Sequence, residues 1–155
     1  MKRYCKKVIV FKRGKTWTFN NVLKTGFSLY PFLVTIYNSP KIKSILDKEI
    51  KSGGYDLVHG ETFYVMPFLP KNNLPTVLVE QTIMSSIFSH HVQTEPRYWM
   101  RPFEWIDVQK IKFWERYYWK KAKRLAAMSE EDKNFIQKLE PKLKVDVVAN
   151  GVDID

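Results

Sequence analysis

Several things are scarce in this chain, and each shortage excludes something. A single cysteine, Cys5, among 155 residues leaves no partner for an internal disulfide. Only three histidines accompany it, and no Cys/His spacing matches a structural zinc site, so no metal is expected. The six glycines never form a GxGxxG, and Gly14 and Gly26 stand alone. No uninterrupted apolar run approaches the roughly 18 residues that a transmembrane helix needs. The opening MKRYCKKVIVF offers only Val8 to Phe11 before Lys12 and Arg13, whereas a secretion signal needs an apolar core of about seven to fifteen residues. A cytoplasmic protein is therefore the expectation. Acidic residues are also short, 16 against 26 Lys and Arg, and the formal charge of +10 favours an anionic partner. Sugar-donor phosphates, a lipid head-group surface and nucleic acid all qualify.

Apolar side chains are plentiful: 45% of the residues, with 15% aromatic, is too core-rich for a disordered segment and fits one folded domain. Short apolar runs at Val8-Ile9-Val10-Phe11, Tyr55 to Gly60, Pro75 to Glu80, Arg124 to Met128 and Val145 to Ala149 read as five strands. Between them lie helical patterns over Pro40 to Ile50, Phe103 to Lys123 and Ser129 to Leu139. The apolar face of the first carries Ile42, Ile45, Leu46 and Ile50, and that of the second Ile106, Ile111, Phe113, Trp114 and Tyr118. Ser129 is a good N-cap, because Glu130, Glu131 and Asp132 follow where the helix dipole favours negative charge.

Strands apolar on both faces and separated by helices predict a doubly wound, mainly parallel α/β sheet of Rossmann-like type. Ligands bind such sheets at the carboxyl ends of the strands. Those ends present His59, Glu61, Glu80, Gln81, Ser129, Asn150 and Gly151. His59 and Glu61, two apart on one strand, point to the same side, and a sugar hydroxyl could meet both. The plainer alternative is a strand-end histidine and a glutamate that suits a helix dipole. Glu80 and Gln81 end the next strand, so all four side chains are expected to line one crevice at the carboxyl edge, with simple strand-end capping as the alternative for the second pair.

Lys110, Lys112, Arg116, Lys120, Lys121, Lys123 and Arg124 alternate with Phe113, Trp114, Tyr117, Tyr118 and Trp119. Basic and aromatic groups together suit an anionic membrane surface. An ordinary amphipathic helix, with aromatics inside and lysines in water, explains the same pattern. Binding of single-stranded nucleic acid is the rival, disfavoured because no RNP-like, KH or helix-turn-helix pattern accompanies the charge.

Four segments, taken in order, resemble the N-terminal domain of glycosyltransferase family 4, especially its polysaccharide-assembly members. They are Tyr55-Asp56-Leu57-Val58-His59-Gly60-Glu61, Val77-Leu78-Val79-Glu80-Gln81, Met128-Ser129-Glu130-Glu131-Asp132 and Val147-Val148-Ala149-Asn150-Gly151-Val152-Asp153. The resemblance implies a two-domain retaining enzyme that moves a sugar from a nucleotide-sugar donor to a glycan or lipid-linked acceptor at the inner face of the membrane. It implies no metal and no bound cofactor, since the leaving diphosphate is stabilised mainly by groups of the other domain. On this reading residues 1–149 are the acceptor-side domain, with His59, Glu61, Glu80, Gln81 and Ser129 near substrate. Residues 150–155, with Asn150, Gly151 and Asp153, begin a hinge towards a C-terminal Rossmann-like domain, which is missing here along with its paired glutamates. Two further departures stand out: the family's first βα unit with its Gly-rich loop is missing or replaced, and Gln81 takes the place of a histidine. Transfer by this chain alone is not expected, and a non-catalytic α/β scaffold or fragment is the alternative.

Overall fold

The computed structural model describes residues 4–11 and 14–151. Three helices come first. Helix α1 (Phe19–Phe27) is capped by Thr18, whose hydroxyl accepts from the Asn21 backbone N–H; α2 (Phe32–Thr35) is a single turn, and α3 (Pro40–Ser52) has proline at its first position. Gly53 ends α3 at a point where a Cβ would run into the Tyr55 ring, and Gly54 continues the turn at φ +61. The chain then enters β1 (Val58–Glu61), a 3-10 helix (Phe63–Phe68) and β2 (Thr76–Glu80). Helices α4 (Met84–Thr94) and α5 (Arg101–Lys121) lead to β3 (Arg124–Ala127), and α6 (Glu130–Leu139) to β4 (Val145–Val147).

The four strands form one parallel sheet in the order β1-β2-β3-β4, flanked by helices, which is the expected Rossmann-like α/β class. Four of the five expected strands are there. The fifth, Val8 to Phe11, is not a strand: an apolar run needs a neighbour to complete its ladder, and Ile9, Val10 and Phe11 instead line a cavity against the α1 to α3 region. The three expected helices lie at α3, α5 and α6, but Ile106 and Phe113 of α5 are exposed while Ile111, Tyr118 and Trp119 are buried.

Pairing puts Glu61 level with Val79 and Glu80 level with Ala127. Since side chains alternate between faces, Gly60, Leu78, Glu80, Leu125 and Ala127 share one face of the sheet, and His59, Glu61, Val79 and Gln81 share the other. The first face is the core: Leu78, Ala127, Ile111 of α5 and Ile136 of α6 are all fully buried, with Phe63 and Trp119 beside them. At β1 the second face is open, so His59 and Glu61 are exposed.

Candidate functional site at the carboxyl edge of the sheet

Glu61 ends β1 and Gln81 follows the last residue of β2, and the two meet. Gln81 Nε2 donates to Glu61 Oε2 at 2.6 Å, an exposed contact across the carboxyl edge of two neighbouring strands. The register explains it: Gln81 is two residues beyond Val79, the partner of Glu61, so both side chains stand on one face. Glu61 Oε1 is left to accept from a hydroxyl, and the Gln81 carbonyl is a further acceptor. His59 lies on the same face, one strand repeat or about 7 Å below Glu61.

Glu80 does not line this crevice, which corrects the expectation that all four side chains would. It sits on the Leu78 face and is fully buried, and the Trp119 indole Nε1–H donates to its Oε1 at 2.9 Å. A second fully buried carboxyl, Glu115 of α5, accepts from the Ser85 backbone N–H at 3.1 Å and so satisfies the first turn of α4. Burial pushes the Glu80 carboxyl well above the usual range, and the neighbouring Glu115 pushes it further, against hydrogen bonds from Trp119 and the Phe63 backbone. Burial likewise pushes Glu115 up to about 7, against the hydrogen bonds from α4. The Oε2 atoms of Glu80 and Glu115 are buried with no hydrogen-bond partner, which disfavours the charged form of each, in the same direction as burial.

Thr62, between Glu61 and the 3-10 helix, is the one non-glycine residue at positive φ among the described residues, at φ 67 and ψ 150. This region is close to glycine-only, and a β-branched side chain is least suited to it. The residue is held by burial and by its N–H, which donates to Val79 O at 2.8 Å, and its hydroxyl is buried without a partner. Nothing in the sequence marks Thr62, whereas Glu115 could have been found four residues beyond Ile111 on the buried face of α5.

Ser129 caps α6. Its Oγ accepts from the Asp132 backbone N–H at 3.0 Å and donates to Asp132 Oδ2 at 2.7 Å, so its proton is committed to the cap. Asn150 and Gly151 are exposed beyond β4, and Asp153 lies outside the described residues. The basic aromatic segment is partly spent on the fold. Lys110 donates to the carbonyls of Thr25 and Ser28, both at 2.7 Å, and the Trp114 indole donates to Leu29 O at 3.0 Å. Arg116 and Lys120 both reach Glu140, Lys121 lies over the Tyr117 ring and Arg124 is 3.8 Å from Asp146. Lys112 and Lys123 remain on the exposed surface.

Among known proteins, the family model described as Glycosyltransferase Family 4 matches residues 7–155. Neither the curated proteins nor the solved structures contain a match. The match spans nearly the whole chain, including all four strands and the Glu61–Gln81 contact between the first two. On this ground, the chain belongs to glycosyltransferase family 4 and carries its glycosyltransferase-type α/β domain.

Proposed function

We propose that this chain is the acceptor-side half of a retaining glycosyltransferase, which moves a sugar from a nucleotide-sugar donor to a glycan or lipid-linked acceptor. The carrying observation is the Gln81–Glu61 hydrogen bond at 2.6 Å on the carboxyl edge of the sheet. Two neighbouring strands here converge a carboxylate and an amide on open surface, which is how an acceptor hydroxyl is gripped and aimed. Glu61 accepts the hydroxyl proton in a hydrogen bond, Gln81 fixes the carboxylate, and His59 offers a further polar contact below them. The groups that hold the nucleotide sugar belong to a C-terminal Rossmann-like domain reached through Asn150 and Gly151, and transfer needs both halves. In the two-domain protein, Glu61→Gln and Gln81→Ala should each lower kcat/KM for transfer by about tenfold or more. Full activity in both variants would refute the assignment.

The same reading places the protein at the cytoplasmic face of a membrane, with the exposed Lys112, Lys121 and Lys123 towards anionic lipid. The +10 charge and the aromatic neighbours of these lysines support it. Flotation with anionic liposomes should recover the protein at low salt, and replacing these three lysines by Glu should abolish recovery. Equal flotation of wild type and variant would remove membrane contact from this face.

A further inference from the structure

Where α4 gives way to α5, three metal-ligating side chains that sugar transfer does not use come together. One ligand atom from each of His91, Glu95 and Glu104 lies within 4.8 Å of the other two. Helix spacing joins the first two: His91 and Glu95 are one turn apart, and His91 Nε2 is 3.6 Å from Glu95 Oε2. The turn between the helices brings in the third. Arg101 Nε donates to the Glu95 carbonyl at 2.8 Å, and α5 runs back against α4, so Glu104 in the first turn of α5 meets the end of α4. The 11-residue α4 starts just after Gln81 and ends at this cluster, about 16 Å further on, so the cluster is separate from the Glu61–Gln81 edge.

Ordinary ion pairing accounts for only part of this cluster. Arg97 donates to Glu95 Oε1 at 2.7 Å from Nε and to Oε2 at 3.2 Å from Nη2, and a carboxylate in the first turn of α5 suits the helix dipole. Neither fact gives Glu104 Oε2 a partner: it is buried without a hydrogen bond among the described residues. A dipole is served as well by a solvated carboxylate, whereas a buried unpaired oxygen is costly unless a cation meets it. Glu95 is 3% exposed, and its Oε2 keeps a lone pair beyond the Arg97 bond. The His91 side chain is 57% exposed and leaves a way in for an ion. The donor set selects that ion. One imidazole nitrogen with two carboxylate oxygens suits zinc, which takes three protein ligands and a water, whereas magnesium and calcium prefer oxygen alone. Tetrahedral zinc bonds of about 2.0 to 2.1 Å set ligand atoms about 3.3 Å apart, so side-chain movements of about 1.5 Å close the cluster. We infer that His91, Glu95 and Glu104 form a zinc site that ties the end of α4 to the start of α5. Cys/His spacing does not reveal it, because two of the ligands are carboxylates and one comes from the next helix.

The test does not depend on sugar transfer. Zinc chloride is titrated calorimetrically into the 155-residue chain carrying Cys5→Ser, which removes an exposed thiol that also binds zinc. One saturable site is expected, and zinc at a hundredfold excess over its Kd should raise the melting temperature by about 5 °C or more. His91→Ala and Glu104→Gln should each weaken zinc binding by about tenfold or more, with the fold checked by circular dichroism. His91 is exposed, so its variant keeps the test decisive even if Glu104→Gln does not fold. His90→Ala, which removes the exposed neighbouring histidine of the same helix, should bind zinc as the parent does. Absence of a saturable zinc site, unchanged affinity in His91→Ala, or an equal loss in His90→Ala would overturn the inference.

Discussion

Glu80 and Gln81 are adjacent in sequence and opposite in environment. Glu80 is sealed under α5 against Trp119 and beside Glu115, while Gln81 stands in solvent and reaches Glu61 on the next strand. One peptide unit and the two-residue alternation of a strand separate a buried, structural carboxyl from an exposed polar pair. The comparison teaches that the core and the candidate site are built from the same strand end but answer to different forces. Changes on the Leu78 face should appear as stability, and changes on the Glu61 face as activity.

The largest effect should come from the buried side. Trp119 is 1% exposed and supplies the hydrogen bond to Glu80 Oε1. Trp119→Ala removes a large core side chain and leaves that oxygen unpaired, so denaturant unfolding should register a loss of about 3 to 5 kcal/mol. A loss under about 1 kcal/mol would mean that this interior is not packed as described.

The next effect is on pH. Glu80 and Glu115 both have pKa values raised by burial, Glu115 to about 7. A carboxyl whose folded pKa exceeds its unfolded one binds more protons when folded, so its stabilising effect is complete below about pH 4.5 and is lost as pH rises. For Glu115 the loss runs from about pH 4.5 to 7 and amounts to something on the order of 3 kcal/mol. Melting temperature should therefore fall between pH 5 and pH 8, and Glu115→Gln should flatten the fall. An equal slope in wild type and variant would show that Glu115 is not the titrating group.

Much of this division was legible in the sequence. The four strands that pair were readable because Leu57, Val77, Leu125 and Val147 sit in short apolar runs bounded by turns or helices. Glu80 was misplaced, because alternation puts it with Leu78 but a strand apolar on both faces does not show which face is sealed. What alternation cannot supply is register, and the Glu61–Gln81 contact depends on the pairing of Glu61 with Val79. Val8 to Phe11 shows the limit of composition: β-branched residues favour a strand only where a neighbouring strand completes the ladder. Helices α1 and α4 were not foreseen; Phe19 and Phe27 of the one and Ile87 of the other are exposed. Thr62 was beyond reach, since its conformation is imposed by its surroundings.

The smallest effect on stability should fall at Gln81, whose amide is exposed: Gln81→Ala should change unfolding free energy by no more than about 0.5 kcal/mol. The same variant gives the most direct measurement of the central claim, steady-state sugar transfer by the two-domain protein with acceptor and donor varied separately. A contact made with the acceptor predicts that Gln81→Ala raises the acceptor KM by about tenfold and leaves the donor KM within twofold. A raised donor KM with an unchanged acceptor KM, or no change in either, would contradict the assignment of the Glu61–Gln81 edge to the acceptor.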